Sequence, residues 1–355
     1  MEPIISPISV EILKAELTPQ KKLRDTNKSG NEIYVITHHD SPNTMKEIGR
    51  LREEAFRDSG GGSGLSMDID EFDTMETPYQ QLIVWDPDAE KIIGGYRFIL
   101  GSDIRIDTNG QPLLATSHMF HFSERFMTEY LPYTIELGRS FIAPEYQSRQ
   151  AGAKALFALD NLWDGLGALA IIKPNMKYFF GKMTMYPEYN RQARDLIQHF
   201  LFKHFEDKDN LVTPMEPLKI ETPKDYLDSI LTEKEFKDDY KLLNAEVRRL
   251  GENIPPLVNS YMSLSPTMKT FGGGINHEFS EAEETCILIA FDEIHEAKKA
   301  RHIDSFIEEK MTSIAKRFPL FVENFGADLK MMIAHKREQL QAKLEKRREQ
   351  KKSKN

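Results

Sequence analysis

Tyr133-Thr134-Ile135-Glu136-Leu137-Gly138-Arg139-Ser140-Phe141-Ile142-Ala143-Pro144-Glu145-Tyr146 is the stretch that decides the fold. Its β-branched and aromatic residues predict a strand over 133–143. That strand carries an acid and an arginine three residues apart, Glu136 and Arg139. Pro144 breaks it, because proline cannot donate to a ladder. Arg149-Gln150-Ala151-Gly152-Ala153-Lys154-Ala155 then opens a helix expected over 150–166. A strand, a loop with free N–H groups and a helix N-terminus suit an anionic phosphate. Arg149 and the N–H groups of Gln150, Ala151, Gly152 and Ala153 are the expected contacts to it. Glu136, next to that place, is positioned to take a proton from a nucleophile.

Working outward, Ile33–Thr37 reads as a strand and Met45–Phe56 as an amphipathic helix. Ser59–Gly64 holds four glycines in six residues and reads as a mobile loop, lid or connector. Gln81–Trp85 and Ile92–Leu100 make a hairpin around Asp86–Glu90. A helical region near 122–130 leads into the deciding strand. Ala168–Ile172 reads as a buried strand, 188–205 as an amphipathic helix and 224–250 as a charged helical stretch. Ile254–Leu257 breaks that stretch, and Gly272–Gly274 and then a late apolar strand, 285–291, follow. Helix is expected from about 293. This order predicts an α/β fold, a sheet covered by helices on both faces. Tight turns between the early strands exclude a doubly wound nucleotide fold.

Composition excludes several classes. With 355 residues, 40% of them hydrophobic, there is core enough for one large domain or two ordinary ones. The single cysteine, Cys286, sits in an apolar run and reads as buried filler; it fits a reducing, cytosolic compartment. No basic-then-apolar leader is apparent at Met1, and no run approaches the ~18 apolar residues of a membrane span. The net charge of −9 is uneven: residues 336–355 hold nine Lys/Arg against three Glu. An acidic body argues against nucleic-acid binding. The basic end suits peripheral contact with anionic lipid or a solvated terminus.

Four blocks resemble the GNAT superfamily of N-acyltransferases. They are Arg52-Glu53-Glu54-Ala55-Phe56; Asp68-Ile69-Asp70-Glu71-Phe72-Asp73; the hairpin segments Leu82–Asp86 and Ile93–Arg97; and Glu136–Tyr146. Their order over roughly 33–295 is most similar to the ornithine-lipid type acyl-carrier-protein branch, whose cousins make acyl-homoserine lactones and N-acyl amino acids. The resemblance implies a three-layer αβα fold with a mixed, largely antiparallel sheet and a helical C-terminal extension. It divides the chain into an acyltransferase domain, 1–300, and a helical, basic tail, 301–355. It implies a cytoplasmic enzyme, at most peripheral on the membrane, with acyl carrier protein and an amino acid as partners.

The same resemblance implies acyl transfer from a phosphopantetheine thioester, with no tightly bound cofactor and no metal. An amine attacking a thioester needs a base, an oxyanion donor and a held pantetheine arm. Glu136 is the expected base, directly or through water, with Arg139 beside it. Backbone N–H groups of 138–142 are expected to hold the oxyanion. Arg52, Phe56, Asp70, Asp73 and Arg97 would organise a flap over the acyl chain, or serve as ordinary caps and ion pairs. Among the large apolar residues near the strands, Trp85, Phe98 and Phe141 are expected to line an acyl pocket. Lys154 replaces the small residue usual in the CoA-binding loop, which favours the carrier-protein donor over acyl-CoA. Glycine or ornithine is the implied acceptor, and the Gly-rich flap favours glycine. Rival readings are an acetyl-CoA or signal-synthase enzyme and a membrane-active protein without catalysis. His204 and Asp209 fit a His-x4-Asp pattern that reads as chance. His118 or His121 is an alternative base.

Overall fold

The structure, a computed structural model, describes residues 1–147 and 152–310, with the backbone alone given for 152–156. Arg149, Gln150, Ala151 and the basic 336–355 segment lie outside the described residues. Met1–Ile303 forms one compact unit and the chain from Asp304 a second. The sheet and all site residues described belong to the first.

The first elements are α1 (Val10–Glu16), β1 (Lys22–Asp25), β2 (Glu32–Ile36), α2 (Pro42–Asp58) and α3 (Glu71–Thr74). The hairpin β3 (Gln80–Asp86) and β4 (Lys91–Leu100) follows, then β5 (Phe120–Phe122) and β6 (Thr134–Ile142). Next come α4 (Gly152–Ile172), β7 (Tyr178–Met185), α5 (Arg191–Phe205) and β8 (Val212–Pro214). The last are α6 (Lys224–Ile230), α7 (Phe236–Arg249), α8 (Pro256–Met262), β9 (Lys269–Asn276), β10 (Ala282–Ala290) and α9 (Glu296–Lys299).

Eight strands form one sheet in the order β1-β2-β3-β4-β6-β7-β10-β9, and β5 and β8 form a separate ribbon. Neighbours in the large sheet are antiparallel except β6 and β7, which are parallel. Successive strand residues point to opposite faces. On β3, Gln81 bonds Arg52 of α2, while a Cβ on Gly165 of α4 would lie 2.7 Å from Leu82. The two helices therefore cover opposite faces, as a three-layer α/β fold requires. The main core runs through both layers, from Ile48 and Leu51 of α2 through Leu82 and Val84 to Leu162 and Leu166 of α4. A second core gathers Phe120, Phe122, Phe126, Phe180, Cys286 and Leu288 around the ribbon.

Two expectations fail. Ala168–Ile172 is not a strand but the last turns of α4. An apolar run of five reads the same in a buried helix, and Ala and Leu are good helix formers. The strand is β7, ten residues later, whose partners β6 and β10 lie far from it in sequence. Gly272–Gly274 lies within β9, where a Cβ at Gly273 would come within 2.5 Å of Leu218. The Ser59–Gly64 loop is anchored rather than loose. Glu53 accepts the Ser63 and Gly64 N–H groups at 2.9 and 2.8 Å and the Ser63 hydroxyl at 2.8 Å. Ile254–Leu257 does interrupt the helical region, and Pro256 then starts α8 at the position where its missing N–H costs nothing.

Candidate active site

β6 and β7 pair from Thr134–Tyr178 to Leu137–Gly181 and no further. Beyond that point β6 continues along β4 to Ile142–Gly94, and β7 continues along β10 to Met185–Glu283. The two strands thus separate into a wedge. A bulge begins where they part: Gly138 faces Arg97 and Phe141 faces Gly95, so Arg139 and Ser140 together oppose Tyr96. Bulges bend and re-aim a strand next to active sites. Arg139 takes the left-handed conformation, φ 46°, that a non-glycine residue adopts only when its surroundings hold it there. They do: Asp68 accepts from its Nε at 2.9 and 3.2 Å, and its guanidinium lies 4.5 Å from the Phe279 ring centre.

A cavity of about 840 Å³ fills the wedge. Glu136, Arg97, Arg139, Lys182 and Glu284 gather on one part of its lining; much of the rest is aromatic and apolar, including Phe56, Phe141, Tyr146, Tyr189 and Leu257, with Glu188 and Glu252 also on it. Glu136 is 2% exposed. It accepts the Thr116 hydroxyl at 2.9 Å and the Tyr79 hydroxyl, and Tyr79 in turn accepts the Ala115 N–H at 3.0 Å. Burial pushes the Glu136 carboxyl above its ordinary value, outweighing the two hydroxyls and the charges of Lys182 and Arg97. A buried carboxyl shifted toward neutrality is what a general base at neutral pH needs.

Beside it Lys182 is ion-paired to Glu284 and donates to the Ala115 carbonyl at 3.4 Å. Glu284 also accepts from Asn276 at 3.0 Å, and Asn276 bonds His118 at 3.2 Å. Burial alone would raise Glu284, but Lys182, Arg139 and Asn276 hold it below its ordinary value. His118 is lowered, first by burial and then by Lys182. One side of the cavity floor is therefore a carboxyl raised by burial, and the other a fixed carboxylate–ammonium pair.

The flap residues form one network. Arg97 donates to both Asp70 oxygens at 2.7 Å and to Asp73 at 3.3 Å. Arg52 donates to Asp73 at 3.1 Å and to Gln81. Asp70 and Asp73 cap α3 reciprocally, so two carboxylates are fixed by backbone before they meet an arginine. Asp73 is held at about 2: burial opposes this, and Arg52 and Arg97 overcome it.

The expected residues divide. Glu136, Arg139, Phe56, Arg97 and Phe141 line the cavity, while Arg52, Asp70 and Asp73 stand behind Arg97. Glu136 and Arg139 are not an ion pair with each other: Arg139 is turned to Asp68 by the bulge. Trp85 and Phe98 do not line the cavity. They are packed in the main core, at 4% and 0% exposure, because β3 and β4 turn those positions into the layer between sheet and helices. Gly152 and Ala153 open α4, and nothing more of the phosphate loop falls in the described residues. His204 bonds Asp239 at 2.7 Å, tying α5 to α7, so the His-x4-Asp spacing is structural. Tyr79, Thr116, Lys182 and Glu284 were missed. Lys182 did leave a signal, a lone charge inside an apolar strand, since such charges are seldom buried unpaired; Glu284, directly after Glu283, did not stand out.

The acetyltransferase (GNAT) domain family matches residues 51–156. A glycine N(alpha)-acyltransferase of Phocaeicola vulgatus is 67% identical over 309 residues, 87% of this chain and 95% of that protein. A glycine N(alpha)-acyltransferase of Bacteroides thetaiotaomicron is 66% identical over 308 residues, 87% and 91% of the two chains. The solved acyl-homoserine lactone synthase LasI aligns over 74% of this chain and 90% of its own, at 12% identity and a TM-score of 0.36, too low to carry an argument. With a wedge, a buried carboxyl and relatives of this similarity, the chain belongs to the GNAT family and is an N-acyltransferase.

Proposed function

We propose that the chain transfers a long, 3-hydroxylated fatty acyl group from the phosphopantetheine thioester of acyl carrier protein to the amine of glycine. The observation that carries this is the cavity: about 840 Å³, with a charged cluster where β6 and β7 part and a largely aromatic and apolar lining beyond it. That lies in the upper part of the roughly 300–1,000 Å³ of ligand pockets, room for a pantetheine arm together with an acyl chain. Glycine as acceptor is supported by the names of the two relatives.

In this reading the pantetheine arm lies in the wedge and the acyl chain along the aromatic walls. Glu136 takes a proton from the glycine ammonium, directly or through water. The free amine attacks the thioester carbonyl, and N–H groups of the bulged segment 138–142 stabilise the oxyanion. Collapse breaks the C–S bond; the proton lost by the attacking nitrogen passes to the departing thiolate, leaving the amide and the carrier thiol, and Glu136 returns its proton to solvent. The N-acylglycine carries one chain and a carboxylate, a lyso-type precursor for a membrane aminolipid. Among the described residues no helix is long and apolar enough to cross a membrane. Contact with anionic lipid through 336–355 is part of the proposal.

The test is purified protein with 3-hydroxypalmitoyl carrier protein, palmitoyl carrier protein or acetyl-CoA, against a panel of amino acids, read by mass spectrometry. N-Acylglycine from the hydroxyacyl carrier is expected. No acylated amino acid from any carrier donor would sink the reading, and faster turnover of acetyl-CoA would replace the donor. Removing 336–355 should lower binding to anionic vesicles; unchanged binding removes the membrane contact.

A further inference from the structure

The cavity has a second polar place, on the face of the sheet turned away from Asp70 and Asp73. Arg97 reaches those carboxylates from one face of β4, so its neighbour Tyr96 stands on the other. There the Tyr96 hydroxyl meets that of Tyr261 on α8 at 3.1 Å, and the Ser140 hydroxyl is bonded to Tyr96 as well. All three residues line the cavity. Trp163 of α4 holds the Tyr261 ring edge-on, with 5.7 Å between ring centres and 76° between planes. Phe141, Ala158, Leu159 and Leu257 supply apolar lining to the same cavity. Leu257 and Tyr261, four residues apart, share one face of α8.

We propose that Tyr96, Tyr261 and Ser140 read the 3-hydroxyl of the acyl donor, and so select hydroxylated over plain acyl chains. This rests on the reading that the donor carries such a group. Three observations support it. First, the protons do not balance within the cluster. A hydroxyl donates one hydrogen bond. Three hydroxyls joined by two bonds have three protons and use two, and among the described residues none of the three has another hydrogen-bond partner. Whichever way the bonds run, one O–H is left for a guest in the cavity. Second, the depth is right: the register sets Arg139 and Ser140 opposite Tyr96. Ser140 thus belongs to the segment 138–142 whose N–H groups are assigned to the thioester oxyanion, and C3 of the chain lies only two bonds beyond that carbonyl carbon. Third, burial pushes the Tyr96 hydroxyl above its ordinary value, against the bonds from Ser140 and Tyr261, and burial pushes Tyr261 up as well. Both keep their protons at neutral pH and can donate to a neutral oxygen.

The selectivity follows from the cost of an unpaired polar group. A 3-hydroxyl accepts the surplus proton and can donate to a lone pair of the same cluster. A plain chain sets a methylene there and leaves the buried O–H unpaired, which is how a site built around a hydroxyl rejects the analogue lacking it. The amide carbonyls of the pantetheine arm offer the same acceptor chemistry, but they lie on the other side of the sulfur from C3 and are the same for every acyl chain. Changing the acyl group alone therefore separates the two sources.

The experiment uses the full chain with glycine and two donors, 3-hydroxypalmitoyl and palmitoyl carrier protein. Wild type is expected to show a kcat/KM at least tenfold higher for the hydroxylated donor. Tyr96→Phe and Tyr261→Phe combined in one chain should bring that ratio within threefold, by slowing the hydroxylated donor more than the plain one. Tyr96→Phe alone removes the middle hydroxyl and should lower the ratio at least threefold; it decides the matter if the double variant does not fold. Leu257→Ala changes only apolar lining and should leave the ratio as it was. A ratio unchanged by the tyrosine variants, or an equal loss with both donors, overturns the assignment and leaves the proposed function standing. A wild type that uses both donors alike overturns the hydroxylated donor and the assignment together. If the wild type acylates glycine from neither donor, the proposed function falls and binding decides the cluster. The probes are then the amide analogues of 3-hydroxypalmitoyl- and palmitoyl-pantetheine, followed by titration calorimetry. A preference for the hydroxylated analogue that the double variant loses supports the assignment, and equal binding overturns it.

Discussion

Glu136→Gln separates the charge of the proposed base from its shape. The amide keeps the length of the side chain, and Thr116 can still donate to the oxygen now at 2.9 Å. Tyr79 already accepts the Ala115 N–H at 3.0 Å and would now face an NH2 group instead of a carboxylate oxygen. The positioned base is lost. General-base catalysis contributes about 10²–10⁴-fold, roughly 3–5 kcal/mol of barrier, and kcat/KM should fall by that factor. The pH profile is the sharper readout. Glu136 must be ionised to accept a proton, and burial raises it above its ordinary 4.5. Wild-type kcat/KM should therefore fall as pH drops through a value above 4.5, and the variant should lose that dependence. Stability moves the other way. A carboxyl whose folded pKa is raised stabilises below its unfolded value and loses that contribution as pH rises through the folded one. Above its folded pKa the ionised, buried Glu136 is a cost that glutamine removes, so there the variant should unfold at no lower denaturant concentration. The assay is steady-state acyl transfer from pH 5 to 9 with urea unfolding at pH 7. A variant within threefold of wild type, or one that keeps the acid dependence, refutes Glu136 as the base.

Lys182→Met leaves Glu284 buried without its cation, and should lower unfolding stability by about 3–5 kcal/mol. It also removes a charge that holds Glu136 down, so the acid side of the pH–rate profile should move to higher pH; an unmoved profile contradicts the coupling. Asp73→Asn tests the flap network. Asp73 sits at about 2 against 3.8 in ordinary surroundings, roughly 2 kcal/mol by linkage. That stability is present above pH 3.8 and lost as pH falls toward about 2. Urea unfolding at pH 7 should show a deficit of at least that size, narrowing below pH 3.8, and a deficit under about 1 kcal/mol counts against the network. Gly61→Ala places a Cβ 2.2 Å from the Tyr186 ring, which lines the cavity. A loss of about 1–3 kcal/mol is expected with a raised donor KM; wild-type values for both would mean that the loop yields without cost.

Much of the fold was legible because its signals are local. The hairpin of β3 and β4 is two β-branched runs around Asp86-Pro87-Asp88, and β6 is one such run ended by Pro144. β7 was not legible. Tyr178–Met185 has aromatic residues on both parities, and its assignment depends on β6 and β10, paired across the sheet. The end of α4 was misread for the same reason: an apolar run does not say whether its burial comes from a helix or a sheet.

The site divides along the same line. Glu136, Arg139, Arg52, Asp70, Asp73 and Arg97 stand out in sequence because charges interrupt apolar patterns, and those charges had to be paired once buried. Sequence determined that there is an acid on a strand before a proline break, and a set of charges that folding must neutralise. Which charge meets which was decided only in three dimensions. The bulge at Gly138–Arg139 turned Arg139 away from Glu136 to Asp68, and the parting of β6 from β7 brought Lys182 and Glu284 to the cavity floor. Both depend on backbone register between strands distant in the chain, and register is set by what packs on each face rather than by any residue's own preference.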